Sequence, residues 1–175
     1  MVLQNENIRL RAVEPSDLDK LYIWENDPTT WIAGNARNPY SYYALKKYIA
    51  EFQKDIYENR MLRLMIDDTQ TEKTVGTVDL YDFDLHHSKI ALGLFVEQAQ
   101  QGKGYASQAL KLTEDYVFNF LKINQLYVFI AESNTASRRI FERENYYCQT
   151  RLKEWIKTFD GFEDVFVYQK LKNRS

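Results

Sequence analysis

An apolar stretch, Ile90-Ala91-Leu92-Gly93-Leu94-Phe95-Val96, runs through Glu97-Gln98-Ala99-Gln100 into Gln101-Gly102-Lys103-Gly104-Tyr105-Ala106 and then directly into an amphipathic helix. This junction constrains the fold more than any other part of the chain. Two glycines one residue apart let the backbone turn sharply and come close to a ligand. The helix that follows aims its unpaired N–H groups and positive dipole end at the same point. The motif reads as a pyrophosphate cradle, although a Gly-x-Gly turn before a helix also occurs as a plain tight connection, so its meaning rests on what flanks it.

The flanks are informative. Upstream, residues 73–81 and 89–96 read as an antiparallel pair with His86-His87-Ser88 at the hairpin tip. Downstream, Ala106, Ala109, Leu110, Thr113, Val117, Phe120 and Leu121 recur at helical spacing and predict one buried face. A buried strand at 126–131 leads through Glu132-Ser133-Asn134 into a second helix at 135–144, and strands at 148–155 and 163–171 join around Asp160-Gly161. Near the N-terminus, Ile8, Leu10 and Ala12 alternate with Arg9 and Arg11 as a half-buried strand. A helix opens at Glu14-Pro15-Ser16-Asp17, with Ser16 as its expected cap, and ends at Asn26-Asp27-Pro28. Ser41 starts another helix whose Leu45, Tyr48, Ile49, Phe52 and Ile56 share a face, followed by a strand at 61–67. No linker or repeat divides the chain. The expectation is one α/β domain over residues 1–175 with a mixed, mostly antiparallel sheet flanked by helices.

This order, with Gln-Gly-Lys-Gly-Tyr-Ala set between a strand and a helix, resembles the GNAT superfamily of acetyl-CoA-dependent N-acetyltransferases. The branch it looks most similar to holds the spermidine/spermine and ribosomal-protein alanine N-acetyltransferases. The dinucleotide fingerprint is different, since it needs a third glycine and an acidic residue about twenty positions on. The resemblance implies a GNAT fold whose sheet is splayed at the cofactor site, with acetyl-CoA as cosubstrate and no metal. It places the pyrophosphate on Gln101, Gly102, Lys103, Gly104, Tyr105, Ala106 and Ser107, where the Lys103 ammonium either pairs with phosphate or is simply solvated. The strand edge at Leu94, Phe95 and Val96 would bond the pantetheine amides as a pseudo-strand. Asn134 reads alone as a helix cap; in the family it also bonds the pantetheine arm, with Ser137, Phe141 and Arg143 on the same side.

The implied chemistry is attack of a deprotonated primary amine on the thioester, helped by a base, an oxyanion donor and a proton for the leaving sulfur. In the polyamine branch a tyrosine seven residues after the asparagine supplies that proton. Here the position is Phe141, which has no proton to give. A glutamate common in relatives two residues before the strand glycine is replaced by Ala91. Tyr146 and Tyr147 are the remaining hydroxyl candidates, each with core packing as its alternative. These two substitutions keep open a second reading, a GNAT-fold protein that binds acetyl-CoA with little or no transfer, as a sensor or subunit. Acidic residues Glu25, Asp27, Asp79, Asp82 and Asp84 fall in segments that flank the acceptor cleft in relatives. Asp79 and Asp82, three apart on one strand, are expected on opposite faces. Trp24, Trp31, Tyr40, Tyr42 and Tyr43 crowd a segment that forms part of the acceptor wall in the family, with core packing as the alternative.

The balance of charges bears on partners. Net charge is −2 over 175 residues, so no global basic field gathers nucleic acid or an acidic membrane, and no apolar run approaches the roughly 20 residues of a bilayer span. The expected partner is a small amine or a peptide N-terminus, and a homo-oligomer is left open. The adjacent His86 and His87 are a poor spacing for two ligands of one metal. The first six residues lack the basic and apolar regions of a signal peptide, and the single cysteine, Cys148, forms no intrachain disulfide. Both fit a cytoplasmic location.

Overall fold

In the computed structural model, residues 3–28, 38–52 and 54–172 are described. Among them seven strands form one sheet: β1 (Ile8–Ala12), β2 (Leu62–Asp68), β3 (Thr74–Asp84), β4 (Lys89–Val96), β5 (Gln125–Ala131), β6 (Tyr147–Lys157) and β7 (Phe162–Leu171), in the order β1-β2-β3-β4-β5-β7-β6. Every neighbouring pair is antiparallel except β4 with β5. The helices are α1 (Leu18–Glu25), α2 (Tyr42–Glu51), α3 (Ile56–Asn59), α4 (Tyr105–Asp115) and α5 (Thr135–Arg143). The connection from β4 to its parallel neighbour β5 passes through α4, as a parallel pair requires.

The period-2 pattern of the strands sorts side chains into two layers. Leu64, Ile66, Val78, Leu80, Ile90, Leu92, Leu126, Val128 and Ile130 point to one face, where they pack with Ala109, Leu110, Phe141 and Tyr146 from α4 and the α5 region. On the other face Met65 packs with Val13, Leu21, Trp24, Ile49 and Phe52, so α1 and α2 cover that side.

Local signals set most element ends. The Ser41 hydroxyl accepts the Ala44 amide at 3.1 Å and caps α2. Ser16 does not cap the first helix. The chain enters through a 3-10 turn, Pro15–Asp17, and it is the Asp17 carboxylate that accepts the Glu14 N–H at 2.8 Å while gripped by Arg11 at 2.7 and 2.8 Å. Ile56 does not continue α2: it opens α3, which Asp55 caps. After α4 the helix widens into a π turn, Tyr116–Phe120, closed by Leu121 N–H to Tyr116 O at 2.9 Å. The extra residue advances the helical phase, so Val117, Phe118 and Leu121 turn inward and Phe120, expected inside, turns out to solvent at 60% exposure. Alternation also breaks at Asp82, which has φ 50° within a register shift of β3 against β4.

Candidate functional site

The site begins at the head of α4. Gly102 and Gly104 hold φ of 79° and 83°, left-handed conformations that an L side chain resists. A β-carbon added at Gly102 would meet nothing within 4 Å, and one at Gly104 would meet only Gln108 Nε2 at 3.8 Å. The space in front of both glycines is therefore open, and no side chain caps the first N–H groups of α4. Orphan helix donors facing open space suit an anion. Gln101 Nε2 donates to Val96 O at 3.1 Å and ties this turn to the end of β4. Lys103 is exposed, and its ammonium donates to Gln100 Oε1 at 2.7 Å.

Two ties from outside the motif hold the cradle in place. The Tyr105 hydroxyl donates to Asp68 at the end of β2, and this bond, helped by the Thr71 amide, brings the Asp68 carboxyl down to about 2. Asn5 and Asn7 both donate to Gln108 Oε1, at 3.2 and 3.0 Å, fastening the N-terminal segment to α4. Next to the cradle the structure joins two residues grouped by the sequence reading, with Arg143 Nη2 donating to Ser107 Oγ at 2.7 Å. Asn134 Oδ1 accepts the Ser137 amide at 3.1 Å, so it does cap α5.

From the cradle a wedge opens along β4. Strands β4 and β5 pair only through Lys89, Ile90 and Ala91 with Gln125, Leu126 and Tyr127. Beyond Ala91 the two strands part, leaving the β4 edge at Leu94, Phe95 and Val96 without a strand partner on that side, half-buried. Phe141 sits at 2% exposure with its ring edge-on to Tyr146 at 5.0 Å. Together with Leu94, Val128 and Ile130, it belongs to the core that fills the α4–α5 side. The wedge therefore opens toward the opposite face.

On that face the floor is bare at Gly93. A β-carbon there would lie 3.5 Å from Asp79 Cβ and 3.8 Å from the Tyr81 ring. Asp79 stands directly across from Gly93, and Arg63 holds it bidentately, Nε to Oδ1 at 2.5 Å and Nη2 to Oδ2 at 2.8 Å. The same guanidinium reaches Glu25 and stacks over the Tyr48 ring at 5.0 Å. Burial would pull Arg63 down, but Asp79 reverses this and holds it fully charged; burial pushes the Tyr48 phenol up. The sequence reading names Glu25 and Asp79 separately but misses Arg63, which joins them and whose one local sign is a lone arginine within Leu62-Arg63-Leu64-Met65-Ile66.

The other candidates are dispersed. Tyr146 is buried, and its hydroxyl has no hydrogen-bond partner among the described residues. Burial first, and the nearby charge of Glu114 second, raise it well above the ordinary tyrosine value. Tyr147 is 68% exposed on β6, the strand at the far edge of the sheet. Asp79 faces the wedge, while Asp82 is exposed at the β3 irregularity and Asp84 accepts the His87 amide in the hairpin. Trp24 is buried against Phe95 at 5.0 Å, Tyr42 stacks on Tyr22 at 4.0 Å, Tyr43 is exposed, and Trp31 lies outside the described residues. Among the described residues no group of three or more His, Cys, Asp or Glu is placed to hold a metal, and no helix is long and apolar enough to cross a membrane.

Comparison with known proteins identifies the family and the fold. The chain is 25% identical to a spermidine N(1)-acetyltransferase of Vibrio cholerae, over 98% of this chain and 99% of that protein. It is 23% identical to a putative ribosomal N-acetyltransferase of Bacillus subtilis, over 96% and 93%. The crystal structure of spermidine N-acetyltransferase from Vibrio cholerae in complex with CoA and spermine has a TM-score of 0.85 at 24% identity, covering 96% of this chain and 97% of that one. The ribosomal-protein-S5-alanine acetyltransferase of Vibrio fischeri also reaches 0.85, at 16% identity over 99% and 97%. Residues 7–145 match the model of the acetyltransferase (GNAT) domain, and the chain belongs to that family of acetyltransferases.

Proposed function

We propose that the protein transfers the acetyl group of acetyl-CoA to a primary amine, either of a polyamine-like small molecule or of a protein N-terminus, by direct attack with both substrates bound. The observation that carries this is the pairing of an open, left-handed Gly-x-Gly cradle at the head of α4 with an unpartnered β4 edge that ends at the same point. Backbone amides of residues 101–106 would hold the pyrophosphate, and the edge at Leu94, Phe95 and Val96 would receive the pantetheine amides. Ser107, Asn134, Ser137, Phe141 and Arg143 would line the other side. Acetyl-CoA supplies the activated acyl group. The chain would supply position, and amide N–H groups of β4 would donate hydrogen bonds to the carbonyl oxygen as it gains negative charge.

The relatives named for spermidine and ribosomal-protein alanine acetylation support an amine acceptor. A homo-oligomer and a cytoplasmic location fit the same reading, as does a single domain over the whole chain. The test is release of free thiol from acetyl-CoA against polyamines, amino acids, aminoglycosides and N-terminal alanyl peptides. Turnover with one amine class is expected. Binding of acetyl-CoA with no turnover across the panel would favour the non-transferring alternative.

A further inference from the structure

Two tyrosines flank the base of the wedge. In register, Tyr81 of β3 pairs with Ala91 of β4, and Ala91 pairs with Tyr127 of β5. Residues paired this way share a face, so Tyr81, Ala91 and Tyr127 form a row on the side to which the wedge opens. The row is also the last rung before β4 and β5 part. Ala91 between them carries only a methyl group, and neither hydroxyl has a hydrogen-bond partner among the described residues.

From Val96, beside the cradle, back to Ala91 is about 17 Å of strand, a length that an extended pantetheine arm would need to span to bring its sulfur to this rung. Phe141 has no hydroxyl, and Tyr146 is sealed in the opposite layer. Tyr147 lies on the same row through Gln169, but two strands beyond Tyr127, roughly 10 Å away. Of the tyrosines weighed for this role, Tyr127 and Tyr81 are the two that stand on this rung.

Resting on the acetyl-CoA reading, we propose that Tyr127 donates a hydrogen bond to the departing sulfur and takes the place of the tyrosine hydroxyl missing at Phe141, with Tyr81 as the second wall of the same pocket. In the step, the amine nitrogen bonds to the acetyl carbon and loses its extra proton to water. The carbon–sulfur bond breaks and sulfur keeps the pair. Tyr127 keeps its own proton and shares it with the thiolate, which water later protonates. Burial first, then Asp82 and Asp84, raise the Tyr127 phenol; burial first, then Asp82, Tyr127 and Asp79, raise Tyr81 to about 12. Both therefore stay protonated donors across the working pH range. The carboxylate on the floor, Asp79, is tied to Arg63 and does not compete as a free anion.

The experiment compares binding of coenzyme A with that of desulfo-coenzyme A, in which hydrogen replaces the thiol, at pH 7 and pH 9.5 by titration calorimetry. A free thiol of pKa about 8.5 ionises between these values. A donor at the sulfur should make coenzyme A gain on its desulfo analogue by about five- to tenfold as pH rises. The Tyr127→Phe protein should lose that gain while still binding both ligands, and its turnover with an amine the wild type accepts should fall about ten- to hundredfold. Tyr147→Phe should leave the gain intact. No pH-dependent gain in the wild type, or an equal gain in Tyr127→Phe, overturns the proposal. Failure of both ligands to bind at either pH overturns the acetyl-CoA reading itself.

Discussion

Gly76→Ala tests how closely the cofactor edge depends on the strand beside it. Gly76 of β3 faces Val96 of β4, and a β-carbon added there would lie 2.2 Å from Phe95 O and 3.1 Å from both Phe95 C and Val96 Cα. All three atoms are backbone, so no side chain can swing away. The contact must lengthen by most of an ångström, either by parting β3 from β4 or by rotating the Phe95–Val96 peptide. Overpacking of this kind costs about 1–3 kcal/mol, and the stiffer unfolded chain of alanine returns about 0.4–1 kcal/mol. A net loss of about 1–2 kcal/mol lowers Tm by roughly 2–8 °C in a chain of this size. The displaced peptide is also the end of the wedge that Gln101 ties to the cradle, so acetyl-CoA affinity should fall at least several-fold. Gly93→Ala is the control, because its β-carbon meets Asp79 Cβ at an ordinary 3.5 Å and should leave Tm almost unchanged. Calorimetric melting and acetyl-CoA titration read both effects. A Gly76→Ala protein that melts and binds like the wild type would refute the reasoning.

Saturating acetyl-CoA, at one hundred times its Kd, should stabilise the wild type by about 2.7 kcal/mol, or roughly 5–11 °C. Gly104→Val should abolish that shift by filling the open space at φ 83°, and an equal shift in both proteins would exclude the cradle as the binding point. Arg63→Met should leave Asp79 and Glu25 without their shared cation and cost about 2–4 kcal/mol, read by denaturant unfolding; neutrality would show that water serves these carboxylates equally well. Asp68 has a folded pKa lowered to about 2, chiefly by Tyr105, so its contribution to stability is complete above the unfolded value near 4 and is lost as pH falls toward 2. Tyr105→Phe should shift that loss to higher pH, and superimposable acid-unfolding curves would contradict it.

Much of this architecture was legible because its signals are local. The Ser41 cap, the strand alternation of Ile8 and Leu10, and the glycines at 102 and 104 each state a backbone requirement within a few residues. What stayed hidden depends on register between distant segments. Arg63 meets Glu25 across 38 positions, and Tyr105 meets Asp68 across 37. The alignment of Tyr81 with Ala91 is fixed by a hairpin, but that of Ala91 with Tyr127 needs a parallel pairing that no short pattern specifies. The first helix deceived for a different reason. Ser16 has the right chemistry for a cap, but Arg11 pulls Asp17 into that task from the neighbouring strand. Phe120 was misplaced because a 3.6-residue period cannot anticipate a π turn.

That π turn carries a consequence for insertions and deletions. A widened turn at the end of α4 absorbs one surplus residue, so the helix before it keeps its own phase. Shortening the chain by one position at the exposed Asn119 should convert the turn to ordinary α-helix and leave Ala109 and Leu110 on one side, and Ile123 on the other, in their present seats. The same deletion at Gln108 would rotate the helix by about 100° relative to the glycines that precede it. One helix thus holds a site where length can drift beside one where it cannot.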